Sequence, residues 1–140
     1  MKNCIWKKSL FCLVVLGMLG LLMGCTVREG SRNKVRDLDY TVLPEAEIPQ
    51  EFYDFIYENK ETPMKLTYIT EDALYVCVGY GQQETGGYSI SVEEFYETTD
   101  GIVIDTTLIG PTVSETQVAT NSYPFLVIKT EKMDVPVIFE

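Results

Sequence analysis

The stretch Ala-Leu-Tyr-Val-Cys-Val-Gly-Tyr, residues 73–80, decides the fold, because its eight positions carry no charge on either alternating face. Such a run predicts a strand covered on both sides, and therefore a central strand of its sheet. Cys77 within it is then a small buried apolar residue. Catalysis by a thiol needs an activating base, and the chain contains no histidine, so a nucleophilic Cys77 is not expected.

Outward from this strand, apolar and polar residues alternate with a period of two, which predicts five further strands. These cover residues 64–70, 88–93, 102–109, 125–129 and 135–139. Asp100-Gly101 is a turn signal, and the sequence Glu93-Glu94-Phe95 interrupts the alternation and predicts a β-bulge. Pro136 suits a strand at a sheet edge.

One segment before the strands has helical periodicity instead. The apolar residues Ile48, Phe52, Phe55 and Ile56 recur at helical spacing and predict a helix over residues 49–60 with one face packed on the sheet. The predicted fold class is therefore α+β, an antiparallel β-sheet of about six strands with one N-terminal helix on one face. The length of the segment 40–140 suits a single domain.

The N-terminal residues have the construction of an export signal. Three lysines, Lys2, Lys7 and Lys8, precede the uncharged run 10–24, and Leu22-Met23-Gly24-Cys25 resembles the lipobox of bacterial lipoproteins. This resemblance implies that residues 1–24 are cleaved and that Cys25 carries an acyl chain such as palmitate. The protein would then be lipid-anchored on the extracytoplasmic face of a bacterial cell membrane.

Two alternatives to a cleaved signal remain open, an uncleaved transmembrane anchor and a buried core helix. As a helix, residues 10–24 would reach only about 23 Å, against about 30 Å for the hydrocarbon core of a bilayer. The short length therefore favours the signal. Cys25 and Cys77 are the only cysteines after residue 24, so no disulfide framework is expected.

Charge is distributed unevenly along the chain, whose net charge is −10. Residues 26–36 hold four basic side chains against one acidic, whereas residues 37–140 hold 4 basic against 20 acidic. We interpret residues 25–39 as a flexible basic tether and the acidic body, residues 40–140, as held off the membrane surface. The alternative is an acidic surface that only aids solubility. Under either interpretation, the excess of acidic residues argues against nucleic acid as a partner, since phosphate binding needs clustered Lys and Arg.

The loop after the central strand is rich in glycine. Residues 79–95 read GYGQQETGGYSISVEEF, and Gly81, Gly86 and Gly87 lie between two predicted strands. A phosphate-binding loop is excluded, because no Gly-Lys-Ser/Thr follows and the next segment is strand-like.

Several motifs then resemble, in order, the C-terminal domain family of PrcB, and the match covers roughly residues 74–131. The motifs are Gly81, Thr85-Gly86-Gly87-Tyr88-Ser89-Ile90, Gly110-Pro111, Gln117 and Tyr123-Pro124-Phe125 through Lys129. PrcB is a lipoprotein subunit of a secreted protease complex. The resemblance implies a membrane-attached accessory protein, with no catalytic residues of its own to transfer to this chain.

The sequence carries no catalytic, cofactor or metal motif. Asp105-Thr106-Thr107 lacks the glycine of the Asp-Thr-Gly motif of aspartic proteases, and the acidic residues match no EF-hand spacing. We therefore predict that the protein is not an enzyme.

The first function class is a non-catalytic interaction or accessory subunit whose partner is an exported protease or another surface complex. Its contact candidates are Tyr80, Gly81, Gly86, Gly87 and Tyr88, because aromatic side chains bury much area on binding. The alternative role for Tyr88 is cross-strand packing. The second class is an extracytoplasmic module that binds a small molecule, peptide or glycan through the same loop.

Overall fold

The computed structural model describes residues 33–112 and 120–140. This part of the chain contains eight strands and one α-helix. In chain order they are β1 (Lys34–Asp37), β2 (Thr41–Val42), α1 (Gln50–Asn59), β3 (Pro63–Ile69), β4 (Ala73–Tyr80), β5 (Ser89–Thr98), β6 (Gly101–Ile109), β7 (Phe125–Glu131) and β8 (Val137–Phe139). The protein is thus mostly β with one helix, which agrees broadly with the predicted α+β class.

The described strands form two four-stranded sheets, so the prediction of one sheet of about six strands is wrong in this detail. Sheet 1 has the order β1-β5-β6-β8, and sheet 2 has the order β2-β7-β4-β3. Pairing is antiparallel except between β6 and β8, which run parallel. The period of two shows which face of a strand is apolar, but it does not show which strand lies opposite that face.

The predicted central position of β4 is confirmed. It pairs with β3 on one side and β7 on the other, and its residues 73–79 are all buried. One face of β4 meets sheet 1, and the main core lies between the two sheets. The buried residues of this core are Leu38, Leu74, Val76, Val78, Phe95, Ile102, Ile104 and Ile128.

The helix covers the other face of β4, as predicted for a helix on one face of a sheet. Ile48, Phe52 and Ile56 pack there with Cys77 and the remaining residues of a second buried cluster. The layers are therefore helix, sheet 2 and sheet 1. Phe55 departs from the prediction, because 51% of its surface is exposed.

The ordered body begins before Tyr40, where the sequence placed its start. Residues 34–37 form β1, an edge strand that pairs with β5, and Leu38 is buried in the main core. The prediction of a flexible tether reaching residue 39 is therefore wrong for this part, while residues 25–32 lie outside the described residues. Two ion pairs hold the strand, since Arg36 contacts Glu97 at 2.7 Å and Glu131 at 2.5 Å. These two carboxylates raise the pKa of the Arg36 guanidinium.

The predicted bulge is confirmed, since the register of β5 against β6 shifts between Val92 and Glu94. Because of the extra residue, the side chains of Val92 and Phe95 both pack in the main core from the same side of β5. The turn at Asp100-Gly101 also lies where the sequence placed it, between β5 and β6.

Candidate interaction surface

The glycine-rich loop starts from a side chain that joins the two sheets. Tyr80 ends β4 and packs against the main core. Its phenolic oxygen lies 2.8 Å from the carbonyl oxygen of Thr106, to which it donates a hydrogen bond, and 2.9 Å from Oγ1 of the same residue. Tyr80 therefore connects β4 to β6, and it is half-buried in this position.

The next residue, Gly81, is determined by packing and backbone geometry. Its φ is +71°, and an added Cβ would lie 2.9 Å from Pro63. The amide of Gln82 donates to the carbonyl of Glu61 at 3.0 Å, which holds this segment beside the start of β3. Only glycine fits such a close approach with positive φ.

The middle of the loop is anchored to the segment before β7. Gln83 and Ser122 exchange two backbone hydrogen bonds of 2.8 and 3.0 Å. The hydroxyl of Ser122 also donates to the carbonyl of Thr85 at 2.6 Å, and the Gln83 side chain donates to the carbonyl of Tyr80 at 3.1 Å. The base of the loop is thus fixed on both sides.

The tip of the loop differs from its base. Apart from Gly86 itself and its two chain neighbours, no atom of the described residues lies within 4 Å of a Cβ added to Gly86. Gly87 has φ of +85° and is exposed, while Tyr88 is half-buried and lies against Gly110. Of the five contact candidates, Tyr80 and Gly81 thus have structural roles, and Gly86, Gly87 and Tyr88 lie together where another molecule can reach them.

A cleft that the sequence did not predict lies next to the same loop. It has a volume of about 560 Å³ and is lined by Pro63, Met64, Lys65, Val78, Gly79, Tyr80, Thr106 and Glu140. Its two walls come from different sheets, because β3 and β4 belong to sheet 2 while Thr106 belongs to sheet 1. A sequence pattern does not reveal this gap, because the gap depends on how the two sheets pack.

A second aromatic surface lies on α1. The rings of Tyr53 and Tyr57 stack with their centroids 6.0 Å apart, and together with Asp54 and Glu58 they line a shallow depression of about 400 Å³. The ammonium group of Lys60 lies 3.5 Å from the ring centroid of Tyr57. This aromatic face therefore already holds a cation from the same chain.

Reactive chemistry is not favoured at the one cysteine in the described part. Cys77 is fully buried, and burial raises its pKa to about 12. It is therefore a protonated thiol at neutral pH and a weak nucleophile. Within residues 33–112 and 120–140, no group of three or more Cys, Asp or Glu side chains is arranged to hold a metal ion.

The predicted lipid attachment site, Cys25, and the predicted signal, residues 1–24, lie outside the described residues. In the part that the structure describes, the single α-helix has ten residues and is too short to cross a bilayer.

Residues 74–131 match the model of a protein family described as PrcB C-terminal. The matched segment runs from β4 through β7 and contains the glycine-rich loop and the central strands of both sheets. No curated protein and no solved structure gives a significant match.

Proposed function

Because residues 74–131 belong to the PrcB C-terminal family, we propose that the protein is a membrane-anchored extracytoplasmic lipoprotein and a non-catalytic accessory subunit. Its partner is an exported protease or another surface complex, which it stabilises or tethers. The lipobox-like residues 22–25 support the anchor, and the family supports the accessory role.

The observation that carries the proposal is the contrast within the glycine-rich loop. Its base is held by Tyr80, Gly81 and Gln83, whereas no described residue beyond its chain neighbours crowds Gly86, and Gly87 is exposed. A loop that is rigid at its base and accessible at its tip loses little conformational entropy on binding. This geometry suits presentation to a protein surface.

The cleft beside Tyr80 favours a second candidate, the binding of a small molecule, peptide or glycan outside the cytoplasm. Its lining combines apolar Val78 and Met64 with the polar Thr106, as ligand sites do. The two charged residues of its described lining, Lys65 and Glu140, are both exposed, however. We therefore rank the accessory role first.

The anchor is tested by metabolic labelling with a clickable palmitate analogue in a lipoprotein-producing bacterial host. We expect label on the wild-type chain and none on Cys25→Ser, with Cys77→Ala as the matched control that keeps the label. Label on the wild-type chain would exclude an anchor that carries no acyl chain. Equal labelling of wild type and Cys25→Ser contradicts the assignment of Cys25.

The accessory role is tested by placing a photo-crosslinking amino acid at Gly87 and irradiating intact cells of the native host. The matched control carries the same amino acid at Asp134, an exposed position between β7 and β8 that follows the end of β7 paired with Ala73, whereas the loop follows the other end of β4. We expect one discrete protein adduct from position 87 that position 134 does not give. Adducts restricted to small molecules favour the binding module, and no adduct at all overturns the accessory role.

A further inference from the structure

The two long sides of the β-sandwich differ in how they are closed. On one side the chain passes directly from β1 in sheet 1 to β2 in sheet 2, with Leu38 buried between them. On the other side lie the edge strands β3 and β8, and the cleft opens there between the first residues of β3 and Glu140, the residue after β8. No described strand pairs with the outer edge of either one.

The hydrogen-bonding pattern identifies which backbone groups of β3 face outward. The amide of Thr70 donates to the carbonyl of Ala73 at 2.9 Å across the turn between β3 and β4. Along an antiparallel pair, residues whose backbone groups bond to the partner strand alternate with residues whose backbone groups point away from it. Tyr68, Leu66 and Met64 therefore bond to β4. The remaining residues, Lys65, Thr67 and Ile69, direct their N–H and C=O groups away from the sheet.

This outward row is accessible. Lys65, Thr67 and Ile69 are all exposed, and seven residues of regular strand provide a straight edge. Unpaired N–H and C=O groups at the spacing of a β-strand are complementary to another extended backbone. A ligand of this edge must therefore be a chain segment in an extended conformation.

The cleft specifies one side chain of that segment. Lys65, Val78 and Tyr80 lie on the same face of sheet 2, and the cleft opens on this face beside the first residues of β3. A strand laid along β3 directs alternate side chains toward this face. One apolar side chain near Lys65 would enter the cleft and cover Val78 and Tyr80.

The charges beyond the ends of β3 indicate which residues the ends of the bound segment should carry. Exposed carboxylates lie beyond both ends of β3, Glu61 at one and Glu71 with Asp72 at the other. Lys65 is the one cation within the strand, and its ammonium group lies 5.7 Å from the ring centroid of Phe139. An acidic body with acids at both ends of an open edge is complementary to a segment with basic residues at its ends.

We propose that β3 is a docking edge for an extended segment of the partner protein. The segment pairs with Lys65, Thr67 and Ile69, places an apolar side chain in the cleft and carries Lys or Arg at both ends. The inference names how the interaction in the proposed function is made, and it rests on that function.

The test uses the full chain in detergent micelles and a fluorescein-labelled, strand-length peptide of alternating valine and threonine with two lysines at each end. A second peptide of the same sequence is N-methylated at alternate backbone nitrogens, which removes its hydrogen-bond donors. On the protein, Thr67→Pro removes only an outward N–H, since prolines are tolerated on edge strands. Thr67→Val is the matched control that keeps this N–H.

We expect saturable binding of the first peptide to wild type and Thr67→Val. Thr67→Pro and the N-methylated peptide should each weaken it about tenfold or more, which corresponds to the loss of one or two hydrogen bonds. Hydrogen exchange at Lys65, Thr67 and Ile69 should slow when the peptide is added. If Thr67→Pro fails to fold, the N-methylated peptide decides the question.

No binding to wild type, or equal binding of the N-methylated peptide, overturns the inference. A doubling of mass in light scattering that Thr67→Pro abolishes assigns the edge to a second copy of this chain and also overturns it. If Thr67→Pro still gives the crosslinked protein adduct in cells, this inference is overturned but the proposed function is not. Peptide binding without any crosslinked protein in cells overturns the proposed function and leaves the edge as a strand-binding site.

Discussion

Gly101 occupies a position that has no room for a side chain. Its φ is +149°, and an added Cβ would clash with the carbonyl oxygen of Pro136. The close approach allows the neighbouring amide, that of Ile102, to donate to the same carbonyl at 2.9 Å, which begins the parallel pairing of β6 with β8. A turn that looks local in the sequence thus positions the last strand.

We expect Gly101→Ala to lower the free energy of unfolding by about 2–4 kcal/mol, through backbone strain and a clash with backbone atoms. Gly86→Ala is the control, because within the part of the chain that the structure describes its Cβ meets no atom within 4 Å outside the two neighbouring residues. That variant should stay within about 0.5 kcal/mol of wild type. Urea denaturation followed by circular dichroism measures both, and similar losses in the two variants would contradict this account.

Cys77 should make stability depend on pH. Burial raises its pKa to about 12 in the folded state, whereas an unfolded thiol titrates near about 8.5. Above that lower pKa the unfolded state releases a proton that the folded state keeps, so stability falls as pH rises and is unaffected below it. Wild type should therefore lose about 1–2 kcal/mol more than Cys77→Ala by about pH 10.

The comparison is made by urea denaturation of both proteins at a series of pH values with reductant present. The two proteins differ only at residue 77, so the difference between their pH profiles isolates Cys77. Parallel curves for the two proteins from neutral to alkaline pH would be inconsistent with a buried thiol.

At the scale of single elements, α1 shows how closely a sequence pattern defines a buried face. Phe55 and Ile56 are adjacent, and both fit the apolar spacing, yet Phe55 is 51% exposed and Ile56 is 0% exposed. One step around a helix is about 100°, and the buried stripe is little wider than that. The orientation of the helix on sheet 2 decides between the two residues.

Ile56→Ala should therefore lower the free energy of unfolding by about 2–5 kcal/mol, because it leaves a cavity between α1 and sheet 2. Phe55→Ala, the larger truncation, should change it by no more than about 0.5 kcal/mol. Thermal denaturation of both variants provides the measurement. A larger effect of the Phe55 change would mean that this side chain is covered by something in the folded protein.

The elements whose determinants are local were predictable. β4, the bulge at Glu93-Glu94 and the helix depend on runs of a few residues, and the structure has all three. β1 was missed because Lys34, Arg36 and Asp37 are charged, and the alternation rule assumes one buried face. Their side chains remain exposed and form ion pairs, while the backbone of the strand pairs with β5.

Sites that depend on two distant elements were not predictable in the same way. The sequence drew attention to Tyr80 but did not show that its hydroxyl bonds to Thr106, 26 residues away. The cleft between the first residues of β3 and Thr106 of β6 requires the division into two sheets, which no local period encodes. The position of Gly86 and Gly87 in a loop was predictable, because a glycine pair between two strand patterns is itself a local signal.

For the molecule as a whole, the excess of acidic side chains should weaken the folded state at low ionic strength. Residues 37–140 carry 4 basic against 20 acidic groups, and lowering salt from about 0.15 M to 0.01 M lengthens the Debye length from about 8 to 30 Å. Repulsion then acts across the whole body. We expect the urea midpoint to fall as salt is removed.

The matched control is the double variant Glu93→Lys and Glu94→Lys, which reverses two exposed charges at the bulge of β5. Its urea midpoint should depend less on salt than that of wild type. An unchanged or steeper salt dependence in this variant would show that repulsion is not the cause.

The passage of the chain from β1 to β2 also determines at which residue an expressed fragment can begin. A fragment that starts at Tyr40 would lack Leu38 from the main core and leave β5 without its outer neighbour. One limited to residues 74–131 would further lose α1, β3 and β8. Truncations that preserve solubility should therefore keep every residue from 33 onward, because the segment that matches the family model is the centre of a larger folding unit.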